Sequence, residues 1–159
     1  MAVSDDSPAP FLQHEYVRWR DVDPAGIMRY DAFVRLLELG EEELVRAAAL
    51  PLWDGSGGVW LPRKVVHLEY HVPCRLGERL AIASYVGRLG TSALTLHADV
   101  LSADGRQLRA EAHMVVVAAS TDGRLAKTPL PDGIRDAVGP WTLSPAEARA
   151  RAAERLGRS

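Results

Sequence analysis

The sequence predicts an α+β domain in which one long helix packs against an antiparallel sheet of about five strands, with a short helix at the C-terminus. Two periodicities and the break between them predict it. Phe33, Leu36, Leu37, Gly40, Leu44 and Ala48 recur at spacings of three and four, the period of a helix that buries one face. Beyond residue 65 the period switches to two, in runs joined by short turns, which is the pattern of an antiparallel meander. A Pro/Gly turn at residues 21–26 separates a first strand from the helix.

Each element has its own signal. Residues 1–10 are Ser, Asp, Pro and Ala in the main and read as a mobile tail; residues 11–143 form the domain and 144–159 a surface helix. Residues 11–20 are rich in Phe, Tyr, Val and Trp and read as the first strand. Asp31 reads as the N-cap of the long helix and Pro51 as its stop. Arg35, Glu38, Glu41, Glu42 and Arg46 fall largely on the other faces. Gly40 sits mid-helix, where it costs about 1 kcal/mol against alanine, so a close approach of the sheet is expected there. Residues 54–58, Asp-Gly-Ser-Gly-Gly, read as a flexible loop.

In the second half, Val66, Leu68, Tyr70 and Val72 alternate with His67, Glu69 and His71, a strand with two unlike faces. Residues 79–89 and 92–101 are the next strands, and Asp104-Gly105 marks a hairpin into residues 106–119. Residues 120–143 read as irregular. Ser144-Pro145-Ala146-Glu147 is a capping box that opens an Arg/Ala-rich helix, polar nearly all round. One long helix cannot cover both faces of such a sheet, so a second copy of the chain is the simplest cover for the other face.

Composition removes several classes of function. A chain of 159 residues with 47% hydrophobic and 25% charged residues builds a core without staples. A net charge of −2 gives no electrostatic case for nucleic acid or an anionic membrane. No apolar run approaches the ~20 residues of a membrane span, and the acidic first residues lack a leader's apolar core, so a cytoplasmic protein is expected. The single cysteine, Cys74, follows a proline in a turn and is expected to be inert. There is no asparagine, so backbone N–H groups become the leading candidates for any oxyanion hole.

The block Arg20-Asp21-Val22-Asp23-Pro24-Ala25-Gly26-Ile27-Met28-Arg29-Tyr30, with the helix that follows, resembles the hotdog-fold thioesterases, nearest the 4-hydroxybenzoyl-CoA thioesterase and YbgC-like group. The resemblance runs from about residue 15 to residue 119, through Arg63-Lys64, residues 75–80 and Gly90-Thr91-Ser92. It implies an acyl thioesterase acting on acyl-CoA or an acyl carrier protein without metal or redox cofactor. Asp23 would be the base or nucleophile, the Tyr30 N–H the oxyanion donor, and Glu38 the reserve catalytic carboxylate. Gly26 would shape the turn. Val59, Trp60, Leu61 and Pro62 would come from a partner subunit, and Arg88, Thr91 and Ser92, with Arg63 and Lys64 as further candidates, would meet the coenzyme A arm. A homodimer or dimer of dimers is implied.

The physics of that junction stands apart from the resemblance. A helix N-terminus offers about four unpaired N–H groups and a positive partial charge. A carboxylate held beside it by a tight turn is the minimum equipment for acyl transfer. Other candidates have plainer readings. Asp21 is expected to bond locally or pair with Arg18 or Arg20. Glu38 would otherwise be a solvated helix carboxylate. His67 and His71 stand ~13 Å apart along one strand face, so with Glu69 they cannot converge on one zinc ion, and a polar face or subunit contact is expected. Trp53 and Trp60 would line the acyl pocket or the core. Arg29, where relatives carry an aromatic or aliphatic residue, would favour a polar acyl group or face solvent. A non-catalytic acyl-binding hotdog module is the alternative. A hydratase or dehydratase ranks lower, because no His-x-x-Pro-Gly-like block is present.

Overall fold

The computed structural model describes residues 8–50 and 56–157. The chain runs β1 (Phe11–Tyr16), a 3-10 turn (Trp19–Asp21), α1 (Tyr30–Ala47), β2 (Arg63–Tyr70), β3 (Arg79–Leu89), β4 (Ala93–Ser102), β5 (Leu108–Val117), α2 (Asp132–Val138), a second 3-10 turn (Gly139–Trp141) and α3 (Pro145–Leu156). The five strands form one antiparallel sheet in the order β1-β3-β4-β5-β2. β3, β4 and β5 are the expected meander. β2 crosses over to pair with β5 at the far edge, with Val66 opposite Met114 and Tyr70 opposite Ala110. With α1 on one face, this is the hotdog arrangement.

The inner face follows from alternation. Leu80 and Ile82 of β3, Ala98 and Val100 of β4, and Ala110 and Ala112 of β5 pack with Phe33, Leu36 and Leu37 of α1. The small side chains let the helix approach. It comes closest at Gly40, where an added Cβ would lie 2.3 Å from Ser84 Oγ and 3.1 Å from Ile82 Cγ2. Ser84 Oγ is buried there without a hydrogen-bond partner among the described residues. Gly40→Ala should therefore destabilise by about 1–3 kcal/mol, although alanine is the better helix former. A thermal melt checks it: an unchanged or raised Tm would mean that the sheet yields.

Several expectations need correcting. The first strand ends at Tyr16, and the chain then tightens into the 3-10 turn that holds Trp19 out. The N-cap of α1 is Arg29; Asp31 lies inside the first turn, paired with Arg29 at 3.0 Å. The helix ends before Pro51, with Ala49 at φ 53°. Pro51, Trp53 and the start of the Gly-rich loop lie outside the described residues. β2 begins at Arg63, three residues earlier than its alternation suggests. Residues 132–138, expected to be irregular, form α2, which buries Ile134 and Val138 against the end of the core. Ala9 and Pro10, assigned to the tail, are buried.

α3 departs from the polar surface helix expected of residues 144–159. Its capping box is present, with the Glu147 N–H donating to Ser144 Oγ at 3.3 Å. The helix is not polar all round. Ala148, Ala152 and Leu156 are buried against Ala81, Ala83, Tyr85 and Leu101 on the outer face of the sheet. Arg149 clamps it there by donating to Asp99 at 2.9 Å and to Glu111. The chain thus covers part of its own outer face. A stripe of alanine is too weakly apolar to read as a buried face from sequence.

Candidate active site

Asp23 sits in a turn built to hold it. Its backbone N–H donates to Ile27 O at 3.0 Å, and its carbonyl accepts from the Gly26 N–H at 2.9 Å. Gly26 adopts φ +74°, which only glycine takes without strain. Asp23 Oδ1 accepts from the N–H groups of Ala25 at 2.8 Å and Ile27 at 3.2 Å. Oδ2 accepts no hydrogen bond among the described residues. The carboxylate is exposed in the single chain, oriented by one oxygen and open at the other.

The same turn is tied to its surroundings on both sides. The Met28 N–H donates to Cys74 O at 2.8 Å, the Leu76 N–H donates to Gly26 O at 3.3 Å, and the Arg29 N–H donates to Asp21 O at 2.7 Å. Asp21 is buried and does structural work. It accepts from the Arg18 N–H at 2.8 Å and from two guanidinium nitrogens of Arg35 at 2.6 and 3.1 Å. Its chief partner is therefore on α1, not Arg20, which stays 3.9 Å away.

Tyr30 opens α1 two residues beyond Met28, whose bridge with Val22 closes the turn. Its N–H has no hydrogen-bond partner among the described residues, as expected at a helix start. Its carbonyl accepts from Tyr70 Oη at 3.0 Å, and Tyr70 meets Phe33 edge-on with centroids 5.0 Å apart. These rings, with Ile27, Met28, His71, Val72 and Pro73, line a cleft of about 290 Å³. An oriented carboxylate and an unpaired donor thus lie within one stretch of eight residues, and the residue that carries the donor lines an aromatic cleft. Arg29 points its guanidinium at Asp31, with both side chains about half exposed.

Glu38 lies on a second cavity of about 320 Å³, lined also by Val34, Leu37, Glu41, Arg63, Val66 and Met114. Glu41, grouped in the sequence with the residues off the apolar face, is instead buried on it. It is 5% exposed and accepts from Arg63 at 2.6 Å. Burial pushes its carboxyl above the usual range, Arg63 pulls it back, and Glu38 pushes it up further. A signal was present: Glu41 stands four residues after Leu37 and three before Leu44, on the apolar stripe itself.

The remaining predicted site residues lie far from Asp23 within one chain. Trp60 pairs with Ala119 at the start of β2, Leu61 packs in the core, and the Pro62 carbonyl accepts from the Val117 N–H. Arg88 stands at the far end of β3, nine residues from Arg79 or roughly 30 Å of extended strand, and Thr91 and Ser92 lie in the turn just beyond it. The carbonyls of Thr91 and Ser92 hold the N–H groups of Leu130 and Ala118.

On the outer face, the imidazoles of His67, His113 and His97 stack in a row across β2, β5 and β4, with centroids 4.9 and 5.6 Å apart. Burial holds His97 down at about 4, with His113 and Arg149 adding to it. β5 adds Glu111 to Glu69 and His71, and donor atoms of these three lie within 4.8 Å of one another. Glu111 also pairs with Arg149, so the group belongs to the network that docks α3.

Cys74 is buried, and that burial raises its thiol to about 11, with the Glu78 charge adding to the effect. Iodoacetamide at pH 8 should leave the folded chain unlabelled and label it only in denaturant, read by mass spectrometry. Rapid native labelling would show that the turn opens.

The family model described as the thioesterase-like superfamily matches residues 17–138. No curated protein matches the chain. Among solved structures, the 1,4-dihydroxy-2-naphthoyl-CoA thioesterase from Synechocystis superposes with a TM-score of 0.74 at 21% identity, covering 81% of this chain and 95% of that one. A thioesterase superfamily protein from Jannaschia sp. CCS1 gives 0.74 at 20% identity, covering 85% and 94%. A gentisyl-coenzyme A thioesterase gives 0.68 at 18% identity, covering 80% and 99%. These likenesses establish the hotdog fold, and the family match, spanning the Asp23 turn, α1 and the whole sheet after β1, carries the conclusion that the chain belongs to the thioesterase-like superfamily and is a thioester hydrolase.

Proposed function

We propose that the chain hydrolyses an acyl-CoA to a free acid and a thiol, with Asp23 as the reacting carboxylate and the Tyr30 N–H as the oxyanion donor. The observation that carries this is the turn that fixes Asp23 Oδ1, leaves Oδ2 open, and leads directly into a helix start whose first residue, Tyr30, has a free N–H and lines an aromatic cleft. A thioester carbonyl placed in the cleft would accept from Tyr30 N–H as its oxygen gains charge. One such donor is worth roughly 3 kcal/mol in the transition state. Oδ2 either takes a proton from an attacking water or attacks the carbonyl carbon itself. In both routes the C–S bond breaks, the sulfur leaves as thiolate and is protonated, and water supplies the oxygen of the product acid.

A second copy of the chain completes the site in this reading. β2 is an exposed edge strand of eight residues, with Val65, Val66 and Tyr70 exposed along it and Val34 and Tyr30 exposed on α1 beside it. Long apolar edges invite pairing with another strand. A twofold antiparallel pairing of β2 with its copy brings opposite ends of the two sheets together. It carries residues 60–63 and the β3–β4 hairpin of the copy toward the Asp23 end, which reconciles their distance within one chain. The cavity beside Glu38, Glu41 and Arg63 would then be closed by the second α1.

The rings of Tyr30, Phe33 and Tyr70 suit a flat acyl group, and two structural neighbours act on hydroxyaromatic acyl-CoAs. The test is thiol release, followed with a thiol reagent, over aliphatic, benzoyl and hydroxybenzoyl CoA thioesters and the matching carrier-protein thioesters. Turnover of the benzoyl-type CoA thioesters above the aliphatic ones is the expected result. Binding of acyl-CoA without any thiol release would replace the reading with the non-catalytic module.

A further inference from the structure

A second recess lies beside the Asp23 turn and is not used in the chemistry above. It has a volume of about 750 Å³ and is lined by Glu15, Tyr16, Val17, Arg18, Trp19, Arg20, Leu76 and Gly77. Its outstanding feature is Trp19, 83% exposed at the crest of the 3-10 turn. Tyr16 and Leu76 are also exposed beside it. The turn that presents the indole is not loose. The buried Asp21 holds it from beneath through the Arg18 N–H and the Arg35 guanidinium. The recess also shares its backbone with the candidate active site: the Gly77 N–H donates to Val17 O, and the Leu76 N–H donates to Gly26 O.

The charges are layered. Glu15 has a side chain only 16% exposed, and both Arg18 and Arg35 lie against it, at 2.8 and 3.7 Å. The groups that face outward are the guanidiniums of Arg18 and Arg20, 55% and 69% exposed. Arg20 has only a distant carboxylate, 3.9 Å away and already held by Arg35. A rigid exposed indole with a phenol near it and two outward guanidiniums is the chemistry that binds a purine bearing phosphates. The base stacks on the ring and the Arg20 fork takes phosphate oxygens, while Arg18, whose Nε and Nη2 already donate to Glu15 at 3.1 and 2.8 Å, adds its remaining Nη1.

We infer that this recess binds the adenosine 3′,5′-bisphosphate end of coenzyme A, so that the thiol arm leaves the Asp23 turn over Leu76 and ends on Trp19, Arg18 and Arg20. The inference rests on the thioesterase reading for its substrate and goes beyond it in naming where the nucleotide sits. It also separates coenzyme A from a carrier protein, which offers a phosphopantetheine arm but no adenine. It competes with the Arg88, Thr91 and Ser92 hairpin as the place of the arm.

Two measurements test it. The first is calorimetric binding of adenosine 3′,5′-bisphosphate alone, which needs no hydrolysis. Binding by the wild-type chain, lost in Trp19→Ala and kept in Trp19→Phe, supports the site. No binding by the wild-type chain overturns it, as does binding that survives Trp19→Ala and is lost in Arg88→Ala. The second is the ratio of KM for S-benzoylpantetheine to KM for benzoyl-CoA. The wild-type ratio should be about 10 and should fall toward 1 in Trp19→Ala and in Arg20→Ala, since stacking of one base is worth a fold-change of that order. A wild-type ratio near 1 overturns the inference. A chain that binds the bisphosphate through Trp19 but releases no thiol from either substrate leaves the recess in place and removes the thioesterase reading, so the two failures are distinct.

Discussion

An Asp23→Asn chain is expected to fold like the wild type and to lose about 10²–10⁴ in kcat. The substitution is mild for the turn. The amide oxygen of asparagine can still accept from the N–H groups of Ala25 and Ile27, the two bonds that Oδ1 accepts now. What it removes is the charge and basicity of Oδ2, which carries no structural bond. The effect should therefore appear in kcat with little change in Tm. The check is a thermal melt beside thiol-release kinetics on the best substrate of the panel. A folded Asp23→Asn chain that turns over at the wild-type rate would take Asp23 out of the chemistry and pass the role to Glu38.

Arg35→Met is expected to cause the largest loss of stability, about 3–5 kcal/mol. Arg35 donates two hydrogen bonds to Asp21, a carboxylate 2% exposed. Removing the guanidinium leaves that charge buried with only the Arg18 N–H and the distant Arg20 to meet it. For a chain of this size, the Tm should fall by roughly 10 °C. The double variant Arg35→Met, Asp21→Leu should recover much of the loss, because replacing both partners of a buried pair by apolar groups is often near neutral. Failure of the double variant to recover would mean that the Asp21 bonds to the turn, not the ion pair, hold this corner. The 3-10 turn and the Asp23 turn both hang on Asp21, so kcat should fall with the single variant even below its Tm.

Much of the fold was legible in the sequence. The apolar stripe from Phe33 to Leu44 placed α1, and the alternation of Leu94, Leu96, Ala98 and Val100 placed β4 and its inner face. Gly40 announced the close approach of the sheet, which Ser84 and Ile82 now explain. Other features were hidden by their chemistry. α2 covers the end of the core with two apolar residues, Ile134 and Val138, too few to show a period. α3 docks through alanines and Arg149, and neither is read as apolar. The cap of α1 was misplaced because Asp31 has the right residue type, while the turn's own geometry puts Arg29 at that position.

The candidate site divides in the same way. Asp23, Gly26 and Tyr30 were readable because eight consecutive residues set both the turn and the helix start, so local sequence determines local geometry. Glu41 with Arg63, Asp21 with Arg35, and Trp19 with Arg20 and Leu76 were not readable as groups. Each joins segments that only the folded sheet brings together, and pairing across such distances in sequence depends on strand order and register. By itself the sequence determined the periodicity of the elements, the turn before α1 and the class of chemistry that turn can support. The tertiary structure alone decided which carboxylates are buried against which guanidiniums, that α3 covers the outer face, and that β2 is left as an open edge. The reason is physical: backbone angles and amphipathic period are set by neighbours along the chain, whereas burial and ion pairing are set by neighbours in space.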